Sequence, residues 1–262
     1  MASERARIEE GIDRAWLRAQ ALRDPFVHAF AVWDLEHAPD RVRFSRLVAD
    51  GATRAYLLQW LGNPRCPVVH WIGPGEGDEL LAGALPPRPF VAVVPPGAVE
   101  AVRRGRGPVE VYPLLGMRRG PGPIPPVTTA CRRLRAADTE ALRALAREFP
   151  GALTSSYAIA EPERELIWGV FDGLRLLGVA RAQVALPDIW VIGGVFTVPD
   201  ARNRGVASAT TGALVRAAAG AGAAAGLWVR AENASARRVY ERLGFRGALR
   251  RLYLDAGAAT SP

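Results

Sequence analysis

Gly193-Gly194-Val195-Phe196-Thr197-Val198-Pro199-Asp200-Ala201-Arg202-Asn203-Arg204-Gly205-Val206-Ala207 is the stretch that decides how this chain is read. It completes an almost wholly apolar run, Ile189–Thr197, of the kind expected for a strand buried on both faces. The run enters a short turn carrying Arg202-x-x-Gly205-x-Ala207, and a helical segment follows from about Arg204 to Ala219. Small residues let a ligand approach the backbone closely. The unpaired N–H groups and dipole of a helix start favour an anion, so the turn suits a polyphosphate. Taken alone it is a weak signal, because many α/β proteins have a Gly-containing turn between strand and helix.

A second segment gives the first its meaning. One helix later, Trp228-Val229-Arg230-Ala231-Glu232-Asn233-Ala234-Ser235-Ala236-Arg237-Arg238-Val239-Tyr240-Glu241-Arg242-Leu243-Gly244-Phe245 leads from a short strand, Leu227–Arg230, into a helix, Ala234–Leu243. The pair resembles the acetyl-CoA site of the GNAT superfamily of N-acyltransferases. Arg202, Gly205 and Ala207 match its first signature, and Asn233, Ala236, Tyr240, Gly244 and Phe245 match its second. The resemblance covers about Val127 to Asp255.

The resemblance implies an α/β fold of tandem GNAT-like domains. Each would have a mixed, mostly antiparallel central sheet flanked by helices, and the C-terminal domain a splayed strand pair. It implies coenzyme A, delivered as acetyl-CoA, as the cofactor. The pyrophosphate would lie on backbone N–H groups of Arg204, Gly205, Val206 and Ala207, beside the Ser208 hydroxyl. The Val195 N–H would polarise the thioester carbonyl and Thr197 would bond the pantetheine amide. Asn233 would cap its helix while touching the pantetheine arm. Phe196, Arg202, Asn203, Ala236 and Tyr240 complete the expected cofactor contacts. Tyr240 is the implied general acid, although Ala236, Val239, Tyr240 and Leu243 also form one apolar helical face that spacing alone assigns to packing.

An amine acceptor must be neutral to attack, so a base is needed. Trp190 to Thr197 contains no acid, a departure from the family pattern. Glu161, Glu163 and Asp188 are the remaining candidates, with Glu161 ranked first and Tyr157 in the same loop lining the acceptor pocket. The three histidines, His28, His37 and His70, all precede residue 71 and have no nucleophile motif around them.

The Pro/Gly cluster Gly120–Pro126 reads as a stiff linker between an N-terminal half, 1–120, and a C-terminal half, 127–262. The C-terminal half shows a strand at Thr128–Leu134, a helix capped by Asp138, a polar loop or short helix at Thr154–Glu161, and a hairpin around Asp172-Gly173. The run already described follows, and Arg250–Leu254 is a last strand. The N-terminal half repeats much of this in degraded form. Helices are expected at Ser3–Leu22 and Pro25–Glu36 and a hairpin around Asp50-Gly51. Strands at Val68–Ile72, Phe90–Val94 and Val109–Tyr112 follow, with short helices between them. An internal duplication is the reading, with the N-terminal half non-catalytic.

Composition narrows the alternatives. The chain has 262 residues, 49% hydrophobic and 23% charged, enough for a packed core. Its formal charge is +8, yet it contains no lysine, and its arginine pairs are dispersed without interleaved aromatics. That pattern fits a compositional bias and argues against a nucleic-acid partner. Two cysteines make no disulfide framework and no Cys/His cluster has metal-ligand spacing. No membrane-spanning run and no secretory signal is seen, so a cytoplasmic protein is expected. The expected activity is direct acyl transfer to a primary amine of a small molecule or amino acid. The alternatives are protein lysine or N-terminal acetylation, a non-catalytic acyl-CoA sensor, and an interaction protein working through its basic surface.

Overall fold

The computed structural model describes residues 6–62, 66–75, 78–120, 122–150 and 160–257. Tyr157 and most of the expected loop at 154–161 lie outside the described residues. The chain divides into two compact units: residues 1–115 with 230–232 and 249–262, and residues 116–229 with 233–248.

In the first unit, β1 (Arg7–Glu10) pairs antiparallel with β2 (Val42–Ala49), where a helix from Ser3 was expected. The helix begins only after Asp13, whose carboxylate accepts the Ala15 and Trp16 N–H groups at 2.8 and 3.1 Å. It runs as α1 (Arg14–Arg23), and Asp24 with Pro25 restarts the chain as α2 (Pro25–His37). Asp50-Gly51 closes the hairpin of β2 with β3 (Ala52–Trp60). β4 (Val68–Ile72) continues antiparallel on β3. Then α3 (Glu79–Gly83) carries the chain to β5 (Phe90–Val94), which pairs parallel with β4. α4 (Val99–Arg106) and β6 (Glu110–Arg119) follow.

The second unit repeats this scheme. β7 is only Arg132–Arg133, shorter than the expected strand: those two residues pair in register with Gly169 and Trp168, and the Leu134 N–H adds one bond to the Ile167 carbonyl at 2.9 Å. α5 (Thr139–Glu148) buries Leu142, Leu145 and Ala146, and each leucine so buried is worth about 2 kcal/mol of transfer energy. β8 (Ile167–Asp172) and β9 (Arg175–Ala185) form the hairpin at Asp172-Gly173. β10 (Ile189–Thr197) is antiparallel to β9, α6 (Val206–Gly220) crosses over, and β11 (Ala224–Arg230) lies parallel to β10. α7 (Ala234–Arg242) leads into β12 (Phe245–Ala256), longer than expected because Leu252–Ala256 pair with β5. Each unit thus has a mixed, mostly antiparallel sheet with one parallel step made through a helix.

Among the described residues no helix is long and apolar enough to cross a membrane. The first unit has a core on each sheet face, one around Trp71, Leu57 and Phe90 and one around Tyr56, Phe44 and Leu17. On the α2 side, His28 Nδ1 lies 2.8 Å from the Tyr56 hydroxyl, and Phe30 stacks on the His70 ring at 4.7 Å. Two ionisable groups there are strained by burial. The Asp34 carboxyl is pushed up to about 7 and the His70 imidazole down to about 4.

These shifts set opposite pH dependences. Asp34 weakens the fold as pH rises from about 4 through 7, because only the unfolded chain ionises it freely. His70 weakens it as pH falls from about 6.5 towards 4. Asp34→Asn is therefore expected to raise Tm at about pH 8 and leave it unchanged near pH 3.5. Calorimetry across that range checks this, and a gain independent of pH would refute it.

Candidate functional site

Partnering between β10 and β11 runs from Ile189↔Ala224 to Ile192↔Leu227 and then stops. Both strands continue, so Gly193–Thr197 have no register partner on β11. On its other edge β10 stays on β9, with Gly193 opposite Arg181, Phe196 opposite Val179, and a bulge at Gly194 and Val195. A bulge sharpens the local twist, which helps one strand leave another. Past the bulge, the Thr197 hydroxyl is buried with no hydrogen-bond partner, a condition that costs roughly 1–3 kcal/mol unless a ligand supplies one.

The end of β10 is fastened by a close approach. A Cβ on Gly178 of β9 would lie 2.5 Å from the Phe196 carbonyl oxygen and 2.6 Å from Val206 Cγ1. Only glycine therefore lets β9 press against both the end of β10 and the start of α6. The Val198 N–H then bonds the Leu177 carbonyl at 2.9 Å, and one tight turn at Pro199–Ala201 redirects the chain.

Asn203 and Gly205 take left-handed backbone conformations, with φ of 63° and 79°. Gly205 is the N-cap of α6, and the first intrahelical bond is from the Ala209 N–H to the Gly205 carbonyl at 2.9 Å. No side chain caps this helix and no acid stands in its first turn. The N–H groups of Val206, Ala207 and Ser208 thus have no intrahelical acceptor, at a terminus worth about half a positive charge. Thr129 Oγ1 donates to the Arg204 carbonyl at 3.1 Å and holds the turn from behind. Arg202 and Arg204 are exposed. Asp200, in the turn before it, is held by Arg175 at 2.5 and 3.2 Å, and that hydrogen bonding keeps its carboxyl below the usual range.

α7 packs beside α6. The Asn233 side chain caps it, accepting the Ala236 N–H at 3.1 Å and the Ser235 hydroxyl at 3.0 Å. Tyr240 is buried at 6% exposure, edge-on to Phe245 at 6.1 Å, and its phenol is pushed up to about 12 by burial. Its hydroxyl has no hydrogen-bond partner among the described residues, so a packed ring carries an uncommitted proton donor.

Val195, Phe196, Thr197 and Arg202 through Ser208 thus line one continuous strand-to-helix path, with Asn233, Ala236 and Tyr240 on the helix beside it. The acids named from sequence do not join them. Glu161 is exposed and paired with Arg164 at 3.1 Å. Glu163 accepts the Ala136 N–H at 3.1 Å, and Asp188 is exposed beyond the end of β9. A carboxylate missed in the sequence is Glu165, which reaches Arg181 at 3.2 Å, in register with Gly193 beside the bulge. Its relation to β10 depends on strand register, which no motif carries.

The counterpart in the first unit is differently built. β4 has only Trp71 and Ile72 beyond its last partner on β5, and α3 is five residues long with Glu79 in its first turn. Among the described residues no cluster of metal-ligating side chains occurs.

Residues 132–245 match the family model described as acetyltransferase (GNAT) family. A putative GNAT-family acetyltransferase from Novosphingobium aromaticivorans is 27% identical over 76% of this chain and 86% of its own, with a TM-score of 0.55. A GCN5-related N-acetyltransferase from Sphaerobacter thermophilus is similar in fold (18% identity, TM-score 0.63, 99% and 98% covered). So is a tandem GNAT protein from the clavulanic acid biosynthesis pathway (14% identity, TM-score 0.58, 97% and 100% covered). No protein of curated function matches the chain in sequence. The strand-to-helix path and the capped second helix lie within the segment that matches the model: residues 132–245 are similar to the acetyltransferase domain of the GNAT family.

Proposed function

We propose that this protein is an acyl-CoA-dependent N-acyltransferase that moves an acyl group directly to a primary amine of a small molecule or amino acid. The observation that carries the reading is the length of β10, Gly193–Thr197, that has no register partner on β11 and leads without interruption into the uncapped start of α6. An extended amide-bearing chain ending in a pyrophosphate fits such a path. The buried Thr197 hydroxyl supports the fit, since a pantetheine amide would satisfy it.

When bound, acyl-CoA supplies an activated thioester carbonyl. The chain's residues then have separable tasks. Val206, Ala207 and Ser208 N–H groups hold the pyrophosphate, with Arg202 and Arg204 adding charge from the exposed side of the turn. The Val195 N–H, in the bulge, would donate to the carbonyl oxygen as negative charge develops there. Tyr240 would supply the proton that the leaving thiolate needs as the amine takes the acyl group, and would regain one from solvent. Glu161, exposed and ion-paired, is poorly placed as the base, so the proton lost by the amine leaves through water. The lack of a seated base favours a second reading, a non-catalytic acyl-CoA sensor.

A thiol-release assay with acetyl-CoA and a panel of primary amines separates the two readings. The enzyme reading expects amine-dependent thiol release, and tight CoA binding without turnover on any amine would favour the sensor. Tyr240→Phe is expected to lower kcat about 100-fold with KM for acetyl-CoA unchanged, and an unaltered kcat would remove Tyr240 from the acid role. Thr197→Val should weaken CoA binding while leaving or raising Tm, because it removes an unsatisfied buried hydroxyl. Gly205→Ala forces an L-residue into the left-handed region, at a cost of about 1 kcal/mol, and sets its Cβ 2.7 Å from Thr129 Oγ1. Calorimetric titration should show CoA affinity falling about 10-fold or more in that variant.

A further inference from the structure

The second unit holds a cavity of about 670 Å³ well away from this path, lined by Arg132, Arg133, Arg135, Asp138, Pro162 and Glu163 among others. β7 lies three strands from β10, across β8 and β9, which at about 4.8 Å per strand is roughly 14 Å. The cavity is of ligand size, since small-molecule sites span about 300–1,000 Å³.

Its walls are built and braced. The Arg132 guanidinium donates to both Asp138 oxygens at 2.7 Å and lies 4.3 Å from the centre of the Phe171 ring. Asp138 also accepts the Arg135 N–H at 2.8 Å, and Glu163 bridges from the opposite wall to the Ala136 N–H at 3.1 Å. Both carboxylates are therefore committed, and the Arg132 hydrogen bonds hold Asp138 in its charged form, below the usual carboxylate range. Arg133 and Arg135 have no carboxylate within salt-bridge distance among the described residues, and both are exposed. Three arginines face two acids, so the lining carries a net positive charge, with the Arg133 and Arg135 forks outside any ion pair at salt-bridge distance among the described residues.

We infer that this groove binds a small multivalent anion, carrying carboxylate or phosphoryl groups, through Arg133 and Arg135. Planar guanidinium forks favour both groups, each of which accepts two parallel N–H bonds. The braced Arg132–Asp138 pair fixes the backbone from which the two free arginines project. The inference is independent of the acyl-transfer reading.

Titration calorimetry on the full chain tests it with two probes, citrate and inorganic pyrophosphate, each with and without saturating CoA. Binding is expected with at least one probe at a Kd below about 1 mM, unchanged by CoA. Arg133→Gln/Arg135→Gln should weaken that binding about 10-fold or more while leaving CoA affinity and Tm unchanged, and the Lys/Lys pair should recover part of it. Citrate alone, or pyrophosphate alone, would identify the anion class. No binding of either probe at about 10 mM overturns the inference. Binding that CoA abolishes and the arginine variants leave intact also overturns it, because the probe would then occupy the start of α6.

Discussion

Partnering between β10 and β11 ends in mid-strand, and the ligand path proposed for the second unit depends on that break. A sheet interior normally pairs every backbone group on both edges, and a buried orphan costs free energy. Here the ladder stops at Ile192 and Leu227 while both strands continue. The gap persists because β10 is held firmly on its other side. β9 follows it to Thr197, the Gly178 contact is too close for any side chain, and the Val198 N–H carries the pairing one bond further. A strand so held can leave one neighbour without collapsing onto it.

The same fastening directs α6. The turn at Pro199–Ala201 follows immediately, and two left-handed residues coil the chain so that the helix starts uncapped. Asp13, Asp24 and Asn233 cap α1, α2 and α7, while α3, α4 and α5, which lack a side-chain cap, each carry an acid in the first turn. An uncapped start with no acid in its first turn is thus a local exception. Asp200, the acid that could have neutralised it, is engaged by Arg175. Geometry and charge both support the proposal that an external anion takes the place of the cap.

Much of this was legible in the sequence, for identifiable reasons. β4, β5 and β10 begin and end where the apolar runs do, because these strands lie inside a sheet and composition alone defines them. The two Asp-Gly turns fix both hairpins. Strand ends set by pairing could not be read. Arg7–Glu10 looks helical but finds Ser45–Val48, and Thr128–Leu134 looks extended but pairs in register only at Arg132 and Arg133. Leu252–Ala256 extend the last strand because β5 is there to receive them. The Glu165–Arg181 pair, the unpartnered Thr197 hydroxyl and the groove at β7 depend on register and burial, which no spacing encodes. Tyr240 was ambiguous between packing and chemistry, and its buried ring with an uncommitted hydroxyl is compatible with both.

The repeated order of elements makes the first unit a natural comparison for the second. Hairpin, third antiparallel strand, connecting helix and parallel strand recur in β2 to β5 as in β8 to β11. The order alone therefore does not make a ligand path; length and sign of charge do. β4 ends two residues beyond its last β5 partner, and one of them, Trp71, is fully buried in the core. The turn after it is packed hard, with a Cβ on Gly73 meeting Ala55 at 2.4 Å and one on Gly75 meeting Pro95 at the same distance. α3 is only five residues long, so few peptide dipoles align, and Glu79 in its first turn opposes an incoming anion. In the second unit three more residues of strand beyond the parallel ladder and ten more of helix, free of acids at the start, distinguish the path proposed for a long anionic ligand from its counterpart.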